Sequence, residues 1–217
     1  MPDYLAQRLN MVESQVRVND VTDARVIQAM RDVPRERFVP TSRKATAYAD
    51  APLEVVQGRF LLEPRAFAKM LQLAEIAPTD NVLDVGCATG YSSAVLARIA
   101  ARVTGLEQDA DLVRIASETL PSVGASNTVI VQGSLPEGHK ARAPYDVIFV
   151  NGAVEARPDA LLGQLAEGGR LVAIVKSGAQ GHATVFLKEQ GKIGRRPAFD
   201  AHAPILPGFR EKVGFVF

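Results

Sequence analysis

Apolar residues recur along this chain with two different periods. In LAQRLNMVESQV, Leu5, Leu9, Val12 and Val16 are spaced by four, three and four residues, which is one face of a 3.6-residue helix. TDARVIQAMRDV repeats the pattern through Val26, Ile27, Met30 and Val33, with Thr22 or Asp23 placed to accept the free amides at its start. The two prolines of VPRERFVP stop that helix. Residues 41–64 hold no period and contain Pro52, Gly58 and Pro64, so they read as a loop with short extended pieces. A loop of that length in a compact domain is usually functional or disordered.

From Phe67 onward the pattern alternates. A helix near 66–76 is followed by short β-rich apolar runs at 81–85, 102–106, 128–132, 145–150 and 170–175, with helical stretches at 91–100, 109–120 and 158–166 between them. Such alternation predicts an α/β fold, a Rossmann-like, doubly wound and mostly parallel sheet covered on both faces, here with an N-terminal helical extension. EGGRL supplies a glycine stop for the last of these helices. ATVFLKEQGKIGRR predicts two extended segments around Gly191, an antiparallel pair at the sheet edge. Residues 1–217 read as one domain, 1–64 being the helices and loop and 65–217 the α/β core.

Composition removes several function classes. Twenty-five Lys and Arg against 24 Asp and Glu leave a net charge of +1, so no bulk field draws the chain to nucleic acid or to an anionic membrane. MPDYLAQRLN lacks the apolar centre of a signal peptide, and no run reaches the length of a transmembrane helix, which predicts a cytoplasmic protein. One cysteine, Cys87, excludes an intrachain disulfide. His139, His182 and His202 have no zinc-ligand spacing, so no metal is expected.

The chemistry centres on VLDVGCATGYSSAVLA, where an expected strand breaks at a small-residue turn and a helix follows. Doubly wound sheets hold their ligands at such turns. Gly86 and Gly90 remove side chains so that backbone can approach a ligand, and Cys87, Ala88 and Thr89 are small. Glu107, at the end of RVTGLE and followed by Gln108, is placed to accept both hydroxyls of a ribose. A dinucleotide fingerprint would need glycine at 88 and 91, where this chain has Ala88 and Tyr91, and no P-loop lysine follows the turn. Asp84, two residues before Gly86, would repel a phosphate and suits a positively charged ligand. S-adenosylmethionine has the ribose, an ammonium and a sulfonium, and no phosphate.

VLDVGCATGYSSAVLA, VTGLEQDADLVRIA, APYDVIFVNGAVEARPDALLGQLAEGGRLV, AYAD and the leader MVESQVRVNDVTDARVIQAMRDVPRERFVP together resemble the protein-L-isoaspartate O-methyltransferase family, from about residue 11 to 175. The resemblance implies a class I methyltransferase fold, S-adenosylmethionine as cofactor and, as partner, a protein or peptide carrying L-isoaspartyl residues, methylated on the α-carboxylate. It carries Asp84, Gly86 and Gly90 onto the first cofactor motif and Glu107 onto the ribose acid. Cys87, Ala88, Gln108 and Asn151 lie in or beside the matching segments and join them as cofactor-binding candidates. In QGSLPEG the family usually has Asp-Gly near the adenine, and Ser134 keeps a hydroxyl for the adenine edge. Asn151 stands alone in VNGAV, without the Pro-Pro-aromatic run of nucleobase N-methyltransferases.

The family loop G-Q-T-I-S-Q-P corresponds to GRFLLEP, so that Phe60 and Leu62 stand where Thr and Ser are expected beside the acceptor. Arg59, Leu62 and Arg65 are the substrate-loop candidates, and either arginine could hold a carboxylate through its guanidinium fork. Three readings follow: methylation of isoaspartyl carboxylates, methylation of another acceptor such as an anionic small molecule, or cofactor binding without transfer. Asp146 in PYDVIFV is either a strand-start residue or part of the active site. A carboxylate acceptor is already ionised at neutral pH, so the absence of a catalytic histidine is expected.

Overall fold

The computed structural model describes residues 2–211. α1 (Tyr4–Met11) starts at Asp3, whose carboxylate accepts the Ala6 amide. It runs into a π turn over Val12–Val16 and a 3-10 turn over Arg17–Asn19. Met11, Val12 and Val16 are buried, but Leu5 and Leu9 are 55% and 40% exposed, so the expected stripe holds only in its second half. A π turn takes more residues per revolution than an α-helix, and a single 3.6-residue phase does not pass through it. α2 (Ala24–Asp32) is capped by Asp23, which accepts the Arg25 amide, and buries Val26 and Met30. The expected loop contains a small hairpin, β1 (Leu53–Val56) against β2 (Arg59–Leu61), and leads into α3 (Pro64–Leu73), where proline occupies the first turn.

The α/β core follows as β3 (Asn81–Val85), α4 (Tyr91–Leu96), β4 (Arg102–Glu107), α5 (Ala110–Ser122), β5 (Thr128–Gln132), β6 (Tyr145–Val154), α6 (Asp159–Leu162), β7 (Leu165–Ser177), β8 (Gln180–Glu189) and β9 (Lys192–Asp200). The seven strands lie in the order β5-β4-β3-β6-β7-β8-β9. The first five are mutually parallel and the last two antiparallel, as expected around Gly191. Two expectations fail between residues 158 and 170. The helix is four residues long and ends at Leu162, and EGGRL belongs to β7. Tyr145 pairs with Leu165 and Val147 with Arg170, so the glycines are the surplus residues of a bulge and do not stop a helix. The helix expected over 91–100 ends at Leu96.

Alternation along the strands divides the core in two. Val82, Val147, Phe149, Val172 and Ile174 face α1 to α5, while Leu83, Val85, Ile148, Val150 and Leu171 face α6, Leu135 and the tail residues Leu206 and Phe209. The second face is thus covered by little helix and by a segment of the C-terminal tail. That segment is pinned to the end of β6, because the Ala153 amide donates to the Pro204 carbonyl at 2.9 Å and the Leu206 amide to the Ala153 carbonyl at 2.9 Å. Strand order reverses between β3 and β6, which opens a crevice at their C-terminal ends. No helix among the described residues is long and apolar enough to cross a membrane.

Candidate active site

The turn between β3 and α4 uses three residues with positive φ, Gly86 (+73°), Ala88 (+49°) and Gly90 (+96°). These angles aim the turn's backbone at the end of β4. The Gly86 amide donates to the Leu106 carbonyl at 2.9 Å, and the Ala88 amide to Glu107 Oε2 at 2.9 Å. Glu107 is fully buried, and its other oxygen accepts the Gln108 amide at 2.8 Å and the Asp109 amide at 3.3 Å. The glycines have different reasons. A Cβ on Gly86 would lie 3.0 Å from Leu206 Cδ1 and 3.4 Å from Arg59 Nη2, inside the crevice, whereas one on Gly90 would meet Ala116 of α5 at 3.1 Å. Gly90 is thus held against α5, where a side chain would crowd Ala116.

Asp84 lies behind the turn. It is fully buried and accepts the hydroxyls of Ser92 at 2.7 Å and Ser93 at 2.5 Å, and the Asn151 side-chain amide. Burial pushes its pKa up to about 6 against the lowering effect of those three donors. This set ties β3, α4 and β6 together at one point. Cys87 is buried beside it, and burial, with the charges of Asp84 and Glu107, raises the thiol well above its ordinary range, so it is no activated nucleophile. Gln108 and Ser134 are exposed at the ends of β4 and β5, on the same edge of the sheet. Asp146 sits at the opposite end, accepting the Asn81 amide at 2.8 Å where both strands begin, and takes no part in the crevice.

The three loop candidates separate. Arg59 turns inward, is 6% exposed, and donates from Nη2 to Glu107 Oε2 at 2.5 Å. Arg65 turns outward, exposed and paired with Glu63 at 3.0 Å, away from Glu107. Leu62 is buried, with its carbonyl accepting Arg35 Nη2 at 2.8 Å, and Phe60 is half-buried on the crevice wall. The remaining free space is about 10 Å³, lined by Arg35, Phe60, Leu62, Gly86, Tyr91 and Asn151 among others.

Sequence reasoning missed Arg35, Tyr91 and Leu206. Arg35 is buried, donates through Nε to the Ala47 carbonyl at 2.8 Å, and lies over the Tyr91 ring at 4.7 Å. It locks the loop onto α4. Its only signal was its place in VPRERFVP, where Arg35, Glu36 and Arg37 together resemble a solvated charge run. Leu206 covers Gly86 and Gly152, where a Cβ on the latter would fall 2.6 Å from its Cγ, and nothing in APILPGF marks it.

The family model described as Protein-L-isoaspartate(D-aspartate) O-methyltransferase matches residues 6–200. A protein-L-isoaspartate O-methyltransferase of Koribacter versatilis is 40% identical over 192 residues, 88% of this chain and 86% of its own. One from Methanoculleus marisnigri is 37% identical over 191 residues, 88% and 87% of the two chains. Among solved structures, a protein-L-isoaspartate O-methyltransferase superposes with a TM-score of 0.82 at 24% identity, covering 93% of this chain and 66% of that one. A Plasmodium falciparum protein described with the same activity, in complex with S-adenosyl-L-homocysteine, gives 0.79 at 21% identity and coverage of 92% and 97%. At those identities the two superpositions establish the fold, while the family model spans the residues from the first helix through the last strand, Glu107 and the Gly86 turn included. This chain belongs to the protein-L-isoaspartate (D-aspartate) O-methyltransferase family.

Proposed function

We propose that the chain transfers a methyl group from S-adenosylmethionine to the α-carboxylate of L-isoaspartyl residues in proteins and peptides. The observation that carries this reading is Glu107, a fully buried acid at the C-terminal end of β4, held against the Gly86 turn by the Ala88 amide at 2.9 Å in a chain of this family. Its acceptor chemistry fits the cofactor: a buried carboxylate suits a ribose hydroxyl, and no phosphate-binding group is present in the turn. Gly86, Cys87 and Ala88 line the floor with backbone, and Gln108 and Ser134 stand toward the adenine side. Asp84, Gly90 and Asn151 act as positioning residues, holding the turn through α4, α5 and β6.

When bound, S-adenosylmethionine supplies a methyl group made electrophilic by its sulfonium. The chain's own work is then positioning and exclusion of water. An α-carboxylate, with an ordinary pKa of roughly 3.5, is ionised at neutral pH, so no protein group has to accept a proton. The crevice agrees with that demand, since burial raises both Cys87 and Tyr91 and keeps them protonated there. Phe60, Leu62, Phe67 and Tyr91 form an apolar wall that keeps water from the site.

The test is incubation with methyl-labelled S-adenosylmethionine and a peptide in isoaspartyl and aspartyl forms. Base-labile label on the isoaspartyl form alone is the expected result, and absence of label from both overturns the reading.

A further inference from the structure

Glu107 is already saturated. Oε2 accepts from the Ala88 amide at 2.9 Å and from Arg59 Nη2 at 2.5 Å, while Oε1 accepts from the Gln108 and Asp109 amides. Three of these four donors are backbone amides of the turn and of the entry to α5, fixed by the fold. The fourth is a side chain from the β1-β2 hairpin. A ligand hydroxyl can therefore reach the Glu107 carboxylate in one economical way, by displacing Arg59. Arg59 is also an incompletely satisfied cation. Its Nε and Nη1 are buried and have no hydrogen-bond partner among the described residues, next to Phe60, Leu61 and Leu62 in sequence. A buried guanidinium released from Glu107 needs another anion, because the apolar wall offers none.

We propose that Arg59 is a partner-exchanging, specificity-determining residue: it holds Glu107 until the cofactor enters, yields that acid to the cofactor's ribose, and then receives the carboxylate of the methyl acceptor. Its two unpartnered nitrogens take up the hydrogen bonds that Phe60 and Leu62 cannot make. Cofactor and carboxylate acceptor consequently bind with positive cooperativity, and by linkage each raises the affinity of the other by the same factor. A methylated acceptor is a neutral ester and no longer a partner for the guanidinium, so Arg59 returns to Glu107 and the crevice empties. The exchange rests on the proposed function in one respect, that the acceptor group is a carboxylate.

Titration calorimetry with S-adenosylhomocysteine tests it without turnover. Arg59→Gln, which keeps a donor and removes the charge, should bind S-adenosylhomocysteine about tenfold more tightly than the wild type, because the ribose no longer competes with a charge-assisted bond. Arg59→Lys, which keeps the charge without the planar fork, should fall between them and serves if the glutamine variant does not fold. An isoaspartyl peptide should tighten S-adenosylhomocysteine binding to the wild type several-fold, its α-carboxamide analogue should not, and in Arg59→Gln the peptide's effect should vanish. Unchanged or weaker binding in both variants overturns the exchange. Tighter binding in the variants with no peptide effect on the wild type overturns the acceptor half. Failure of the wild type to methylate the isoaspartyl peptide would count against the proposed function alone, since the comparison of Arg59 variants needs no acceptor.

Discussion

The floor of the crevice and its cover are held by different kinds of bond. The floor, from Asp84 to Gly90 with the end of β4, is fixed by backbone amides to Leu106 and Glu107 and by the Asp84 carboxylate with its three donors. The cover comes from remote segments. It consists of Arg59 on β2 and Leu206 on the tail, which meet Glu107 and Gly86 through side chains. Backbone geometry set by positive φ cannot relax without remaking the turn, but side chains change rotamers on the timescale of ligand entry. The floor is thus a preformed receptor, and the cover is the part that binding can move.

Glu107 joins the two, and its removal should have the largest effect. Glu107→Ala takes away the ribose acid and leaves Arg59 buried with no counter-charge. Breaking one side of a buried ion pair costs roughly 3–5 kcal/mol, and the lost charge-assisted bonds to the ribose should weaken S-adenosylhomocysteine binding more than tenfold. Denaturant unfolding and calorimetry on the variant check both. The double variant Glu107→Ala with Arg59→Ala sharpens the comparison, since it should recover part of the stability and none of the binding. A Glu107→Ala protein as stable as the wild type would mean that floor and cover are not coupled.

Asp84 probes the floor alone. Its pKa in the folded protein is raised to about 6, above the ~3.9 of an unfolded chain. Well below pH 4 the carboxyl is protonated in both states, and as pH rises to 6 and beyond the folded protein must ionise it against burial. Wild-type stability should therefore fall relative to Asp84→Asn across pH 4 to 6, by on the order of 2–3 kcal/mol, and the gap should be flat outside that window. Unfolding of both proteins at four pH values between 4 and 7 measures it. A gap independent of pH would place the titration elsewhere.

Leu206 probes the cover alone. Leu206→Ala removes buried contacts at the crevice mouth and should cost about 2–3 kcal/mol, the low end for a buried leucine because the site borders solvent. Thermal unfolding without ligand should show the loss. Added S-adenosylhomocysteine should restore more of it in the variant than in the wild type, as the ligand fills space that Leu206 now occupies. Equal stabilisation of both proteins would make Leu206 ordinary core and leave Arg59 as the whole of the movable cover.

The same division decided what the sequence disclosed. The strands from 81 to 150, the turn and Glu107 were legible because each is encoded locally, by a short apolar run, by small residues with positive φ, and by an acid at a strand end. Arg59 was legible as a candidate, but not as the partner of Glu107, since no local pattern joins residues 48 positions apart. Leu206 and Arg35 were silent, because a leucine in a loop and an arginine in a charged run have ordinary exposed alternatives. The four-residue α6 and the bulge at Gly168 were misread for a related reason. Glycine ends helices and builds bulges with the same positive φ, and only the pairing of β7 with β6 selects between them.

The smallest expected effect separates two arginines that the sequence left equivalent. Arg59 and Arg65 flank the same loop, yet Arg65 is exposed and pairs with Glu63, two residues away. Exposed pairs of this kind contribute about 0–1 kcal/mol, because water and salt screen them and both long side chains lose freedom. Arg65→Ala should accordingly leave stability within about 0.5 kcal/mol, and leave both S-adenosylhomocysteine affinity and its coupling to an isoaspartyl peptide at the wild-type values, in contrast to Arg59→Gln. Calorimetry on the two variants side by side is the measurement. A loss of peptide coupling in Arg65→Ala equal to that in Arg59→Gln would show that Arg65 swings inward when the acceptor arrives, and the acceptor's carboxylate would then belong to a pair of arginines on both ends of the loop.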